Sequence, residues 1–277
     1  MPHPSAPETS AGHPGTGHPG VGRTGGSTVG DPSGPFLMYS GSVNDVNPGL
    51  SKIILSCTAL GAGLSLAASI RARGLRRSVV LLALGAGLPA AGELLATGPL
   101  GLLRHRTWPR VAGVPVAIVL GWYAAIHGSL TLAERVLCRL PLDEAARSRA
   151  VAPLAALVGT SLDLALDPAS LDAGLWEWNT DGTYARDVQG PNGRAGVPLV
   201  NYLGWLALVG GAASVYGRVY GSDRAPRGGR LPGRLPGLLL VPPYLAALLW
   251  AVRQRKVRYL LYSAPFPLAL YAGLKKG

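Results

Sequence analysis

The chain has 277 residues, 48% of them hydrophobic and only 14% charged, where a soluble domain carries about a quarter charged. That little charge does not clothe a globule of this length in water, so lipid is the expected solvent for much of its surface. The net charge of +12 would point to nucleic acid in a soluble chain, but here Lys and Arg gather in short runs between apolar segments, as membrane loops do, and no nucleic-acid partner is expected.

Residues 1–50 are rich in Pro, Gly, Ser and Thr and repeat Gly-His-Pro-Gly at Gly12–Gly15 and Gly17–Gly20. Such a segment buries too little apolar surface to offset its ordering entropy, so a disordered tail is expected there. Residues 51–277 read as an all-α transmembrane domain, a polytopic helix bundle. Seven candidate spans run at roughly 53–70, 78–98, 111–132, 150–167, 197–217, 236–252 and 259–274, each near the length needed to cross the hydrocarbon core. The expected location is a bacterial cytoplasmic membrane, crossed many times. Basic residues of loops 71–77, 133–149 and 218–235 slightly outweigh those opposite, which favours an outside N-terminus. Arg253, Arg255, Lys256 and Arg258 stand on the other side and leave the orientation open.

Within the domain lies a repeat. Gly113-Val114-Pro115 through Gly121-Trp122 aligns without a gap to Gly196-Val197-Pro198 through Gly204-Trp205. Each copy opens a span and follows a helix carrying an acid and closing on Pro: Glu93 before Gly98-Pro99, and Asp163 before Asp167-Pro168. Two hairpins result, at about 78–132 and 150–217. Two spans separate the copies, so both run in the same direction and Glu93 and Asp163 fall on one side of the membrane. Sites in membrane proteins are often built where such repeats meet.

Of the acidic residues, Glu93, Asp163 and Asp167 are read as lying within apolar spans, where a carboxylate is costly and usually functional. Asp163 and Asp167 share a helical face at i, i+4. Asp167 also reads as a turn start, since Asp-Pro commonly initiates one. The polar loop 168–195 carries Trp176, Trp178 and Tyr184, either an interfacial aromatic belt or a substrate-binding lip. Asn201 stands where the first copy has Ile118, and reads either as helix–helix glue or as a site residue.

The five histidines form no closely spaced cluster, and the pairs of glycines at Gly61/Gly63 and Gly85/Gly87 lie inside spans rather than at a nucleotide-binding turn. Asp163 and Asp167 do not make paired Asp-rich, magnesium-holding motifs. The residues point to acid–base chemistry on an apolar substrate, with no cofactor and no metal expected.

Taken together, Glu93…Thr97-Gly98-Pro99…Gly113-Val114-Pro115…Trp122 and Asp163…Asp167-Pro168…Trp176-x-Trp178…Gly196-Val197-Pro198-x-x-Asn201-x-x-Gly204-Trp205 resemble the carotenoid biosynthesis protein family. These integral-membrane proteins include carotenoid hydratases of the bisanhydrobacterioruberin and γ-carotene type. The resemblance covers roughly residues 90–205. It departs after Pro99, where the family usually has Phe-Gly-x-Tyr and this chain has Leu100-Gly101-Leu102-Leu103, and in a longer loop between Trp178 and Gly196. What it implies is hydration of a terminal double bond of a lipophilic carotenoid or isoprenoid, a hydro-lyase activity. Asp163 and Glu93 would be the acid–base pair, with Asp167 as third candidate, because a carboxyl kept neutral can protonate an alkene. Trp176, Trp178 and Trp205 would shield the cation, Asn201 would position water, and Trp122 and Tyr184 complete the expected substrate contacts. Two rival readings stay open: a membrane isoprenoid cyclase, which begins with the same proton transfer, and a small transporter or scaffold using the carboxylates as ion sites.

Overall fold

The computed structural model describes residues 45–220 and 233–275; the tail up to residue 44 lies outside them. Residues 45–50 already belong to the helical body. Asp45 pairs with Arg110 at 2.6 Å, and helix α1 (Pro48–Arg73) starts at a Pro whose missing N–H has no helical partner to lose. The Asn47 side chain caps it by accepting from the Gly49 N–H at 2.7 Å.

The second span is continuous from Leu75 to Thr97: α2 (Leu75–Leu82), one π turn (Ala83–Gly87) and α3 (Leu88–Thr97). Helix α4 (Val116–Leu137) is the third span, α5 (Glu144–Asp172) the fourth and α6 (Leu199–Tyr220) the fifth. Short α7 (Leu235–Leu238) and α8 (Val241–Arg253) together make the sixth. Among the described residues six helices are long and apolar enough to cross a membrane, one fewer than the seven candidate spans. The region expected as the seventh is broken into α9 (Arg258–Tyr262) and α10 (Pro265–Leu274), since Pro265 has no N–H to continue a helical ladder.

The bundle is apolar outside and polar within. Leu249 is 69% exposed and Leu60 65%, whereas Arg73, His127, Glu134, Asp163 and Asp167 are all buried. Glu134 was expected in a loop; α4 runs one turn past the expected end at 132 and carries it into the span. Packing centres on α4 and α5. Tyr123, Ile126, Leu130, Val209 and Tyr216 form one apolar cluster, and Leu132, Leu162, Leu240 and Phe266 another.

Two further corrections concern the strand-capped end of the bundle. First, α5 does not stop at Asp167-Pro168 but continues to Asp172. Pro168 cannot donate to the Leu164 carbonyl, and the Tyr184 hydroxyl donates to it instead at 2.9 Å, which keeps the helix satisfied through the proline. Second, the connections hold six short strands. In chain order these are β1 (Leu103–His105), β2 (Arg110–Val111), β3 (Val114–Pro115), β4 (Trp176–Trp178), β5 (Tyr184–Gln189) and β6 (Ala195–Val197). They pair antiparallel as β1–β4, β2–β3 and β5–β6. In both repeat copies a β-hairpin thus leads straight into a spanning helix, and the matching glycines Gly113 and Gly196 both have positive φ, 85° and 80°.

Candidate active site

Glu93 sits in the last turns of α3, on the side of the membrane where the strands cap the bundle. Its two carboxylate oxygens are held separately. Oε1 accepts from the Trp122 indole N–H at 2.9 Å, and Oε2 lies 2.9 Å from His105 Nε2. Trp122 comes from the repeat helix α4 and His105 from β1, so the first hairpin orients its own acid.

Asp163 and Asp167 occupy one face of α5 and are 4% and 1% exposed, deep enough that their polar atoms depend on protein partners. One amide serves both. Asn201 Nδ2 donates to Asp163 Oδ2 at 2.7 Å and to Asp167 Oδ2 at 2.7 Å. The Trp176 indole donates to Asp167 Oδ1 at 2.6 Å. Asp167 therefore has both oxygens engaged. Among the described residues Asp163 Oδ1 has no hydrogen-bond partner, and neither aspartate has a Lys or Arg partner.

The two acid centres close into a ring. His105 meets the Trp176 ring edge-on at 6.1 Å, because β1 and β4 pair His105 directly opposite Trp176. On the other side Trp122 stacks on Trp205 at 3.9 Å between centroids and 29° between planes. These two tryptophans are equivalent in the repeat and stand equally far from the starts of their helices. Equivalent side chains of the two copies thus meet face to face. Glu93 is linked to the aspartate pair through His105 and Trp176, whose indole holds Asp167.

Each residue expected from the sequence can now be placed. Glu93, Asp163, Asp167, Asn201, Trp122, Trp176 and Trp205 come together in this network. Asp167, read also as a turn start, is a buried member of it. Trp178 is buried behind the site in the cluster beneath the strands; its indole N–H has no partner of hydrogen-bond geometry, though it too is within electrostatic reach of Asp167. Tyr184 uses its hydroxyl on the Leu164 carbonyl, and its ring packs edge-on against Tyr202 at 5.1 Å and Tyr259 at 5.4 Å.

His105 was not foreseen. It stands in the segment that departs from the family pattern after Pro99, and nothing local to that segment announces a strand that pairs with residues 176–178. It is buried, and its Nδ1 has no partner among the described residues. Nearby, a surface network ties the β5 strand to α9: Asp187 accepts from the Tyr259 hydroxyl and pairs with Arg258, and Lys256 lies 3.8 Å away. Burial opposes the charge on Asp187, but these bonds and the Lys256 charge outweigh it and hold its carboxyl below the usual value. Among the described residues no three His, Cys, Asp or Glu side chains form a metal-ligating group.

No curated protein and no solved structure matches the chain. The model of the carotenoid biosynthesis protein family matches residues 51–261, which takes in both repeat hairpins and every residue of the network, and the chain belongs to that family.

Proposed function

We propose that this carotenoid biosynthesis protein adds water across a terminal carbon–carbon double bond of a carotenoid or related isoprenoid, using its own carboxyl groups as acid and base. The observation that carries the reading is the ring itself: three carboxyls, Asp163 and Asp167 buried and Glu93 partly so, are drawn from both repeat copies to one end of the bundle among indole groups. Structural ion sites hold carboxylates against cations. Here Asp163 and Asp167 face each other across an amide, with no Lys or Arg partner among the described residues. Such a pair is suited to hold one proton between its members.

Asp163 is the donor, because its Oδ1 is the oxygen without a protein partner. The double bond's π electrons take that proton at its less substituted carbon, forming a C–H bond and leaving a tertiary cation at the other. A water oxygen then bonds to the cation, and its surplus proton passes to Glu93, which His105 and the Trp122 indole orient. Return of that proton from Glu93 to Asp163 restores both groups, so the net change is alkene plus water to tertiary alcohol. The Trp176 and Trp205 rings supply faces able to stabilise the cation before water arrives.

Expression in a carotenoid-producing host, with pigments analysed by mass, tests the reading. The wild-type chain should yield a pigment heavier by one water, and Asp163→Asn, accumulating to the same level in the membrane, should yield none. An isomeric product of unchanged mass would instead make the chain a cyclase. No new pigment from any carotenoid tested would end the enzymatic reading.

A further inference from the structure

A second set of polar side chains is buried in the bundle, and the acid site does not use it. It lies toward the opposite membrane face, where α1, α4 and α6 come together. On α1 the buried residues Ser65, Ser69 and Arg73 follow one another at four-residue spacing, so this helix turns a polar stripe inward and its leucines and isoleucines outward. Facing them on α4, His127 Nδ1 lies 2.7 Å from Ser65 Oγ, and Glu134 takes Arg73 at 2.5 and 3.2 Å.

Between these two contacts stand three fully buried hydroxyls, those of Ser69, Tyr123 and Tyr216, with no hydrogen-bond partner of acceptable geometry among the described residues. They form one group. Tyr123 stacks beside His127 at 5.9 Å and lies within electrostatic reach of Ser69 and Arg73, and Arg73 sits over the Tyr216 ring at 5.6 Å. Gly85, in the π turn, leaves room for the Tyr123 ring: a Cβ there would stand 3.2 Å from its Cδ2. An orphaned hydroxyl in an apolar medium is costly, and three converging ones are more costly still.

We propose that this chamber binds a small cluster of water molecules inside the membrane-spanning bundle. The ligand class follows from the lining. Arg73 and Glu134 neutralise each other, which leaves neutral hydroxyls that both donate and accept. A buried water needs two to four such partners, and an ion would need a net charge that the lining lacks. The chamber ends at Tyr123, the residue after Trp122, whose indole holds Glu93. From Glu134 to Trp122 along α4 is about 18 Å at ~1.5 Å per residue, so the cluster and the acid ring are separate polar zones along one helix. The proposal does not depend on hydratase activity.

Radiolytic hydroxyl labelling in oxygen-18 water tests it on the full chain in lipid nanodiscs, since radicals formed from bound water oxidise the side chains around it. Normalised to intrinsic reactivity, Tyr123 and Tyr216 should be labelled about threefold or more above Phe266, which is equally buried among apolar side chains. Labelling no higher than that of Phe266 overturns the proposal. Ser69→Ala removes one water partner and should lower labelling at Tyr123 while leaving Phe266 unchanged. If that variant does not fold, Tyr216→Phe serves, because it deletes an unpaired hydroxyl and keeps the ring. Unaltered labelling of Tyr123 in the variant that folds counts against the site as firmly as a blank wild type.

Discussion

Asp163 and Asp167 compete for a single amide, and the outcome defines what each can do. Asn201 spends one N–H on each, Trp176 supplies a second donor to Asp167 alone, and Asp163 keeps an oxygen unengaged. The first repeat copy solves the same problem differently: Ile118 replaces the amide, and the donor comes one turn later from Trp122. Asn201→Ile, which installs the first copy's residue in the second, is therefore a direct test of the amide's role. Hydrogen bonds to charged groups are worth about 1.5–3 kcal/mol, so turnover at saturating substrate should fall about 10- to 100-fold. Turnover measured in isolated membranes would decide it, and an unchanged value would reduce Asn201 to helix packing. Glu93 and Asp163 were legible in the sequence because a carboxyl inside an apolar run stands out. His105 was not, because what places it beside Glu93 is strand pairing with residues 176–178, far off in the sequence.

At the scale of elements, the repeat governs both what was legible and what was not. The spanning helices follow from apolar length, and the matched Trp positions do converge. The strands of two to six residues offer no periodicity to read, and they form only because the bundle brings Leu103 opposite Trp178 and Tyr184 opposite Val197. Asp167-Pro168 misled for a related reason: the donor that rescues the Leu164 carbonyl is Tyr184, twenty residues away. The glycines before the repeat helices allow a prediction here. Both require a left-handed backbone, which costs a residue with a Cβ about 1–2 kcal/mol. A Cβ at Gly113 would meet nothing nearer than Thr97 Oγ1 at 3.8 Å, but at Gly196 it would stand 2.6 Å from the Tyr184 carbonyl oxygen. Gly113→Ala should lose roughly that backbone cost and no more. Gly196→Ala should lose clearly more and also loosen the Tyr184 hydroxyl from α5. Unfolding midpoints in detergent compare the two, and equal losses would mean that the β5–β6 hairpin yields without strain.

For the molecule as a whole, the partition of polarity is the reverse of a soluble protein's, and it leaves two polar zones at opposite ends of one bundle. The acid ring lies under the strands, and the Arg73–Glu134 pair lies where α1 and α4 finish. Both side chains are withdrawn from the outer surface of the bundle, 1% and 8% exposed. Their value lies in each other, since a buried ion pair gains little over an apolar contact of the same shape, while a single orphaned charge is severely unfavourable. The pair also holds the polar stripe of α1 inward against α4. Arg73→Met should therefore destabilise the bundle by about 3–5 kcal/mol, and Arg73→Met combined with Glu134→Met should recover most of that loss. Reversible unfolding in mixed micelles, read for both variants and for Glu134→Met alone, completes the cycle. A double variant as unstable as the singles would show that Arg73 acts through the Tyr216 ring beneath it rather than through Glu134. Recovery would locate the coupling between the two helices in this one pair.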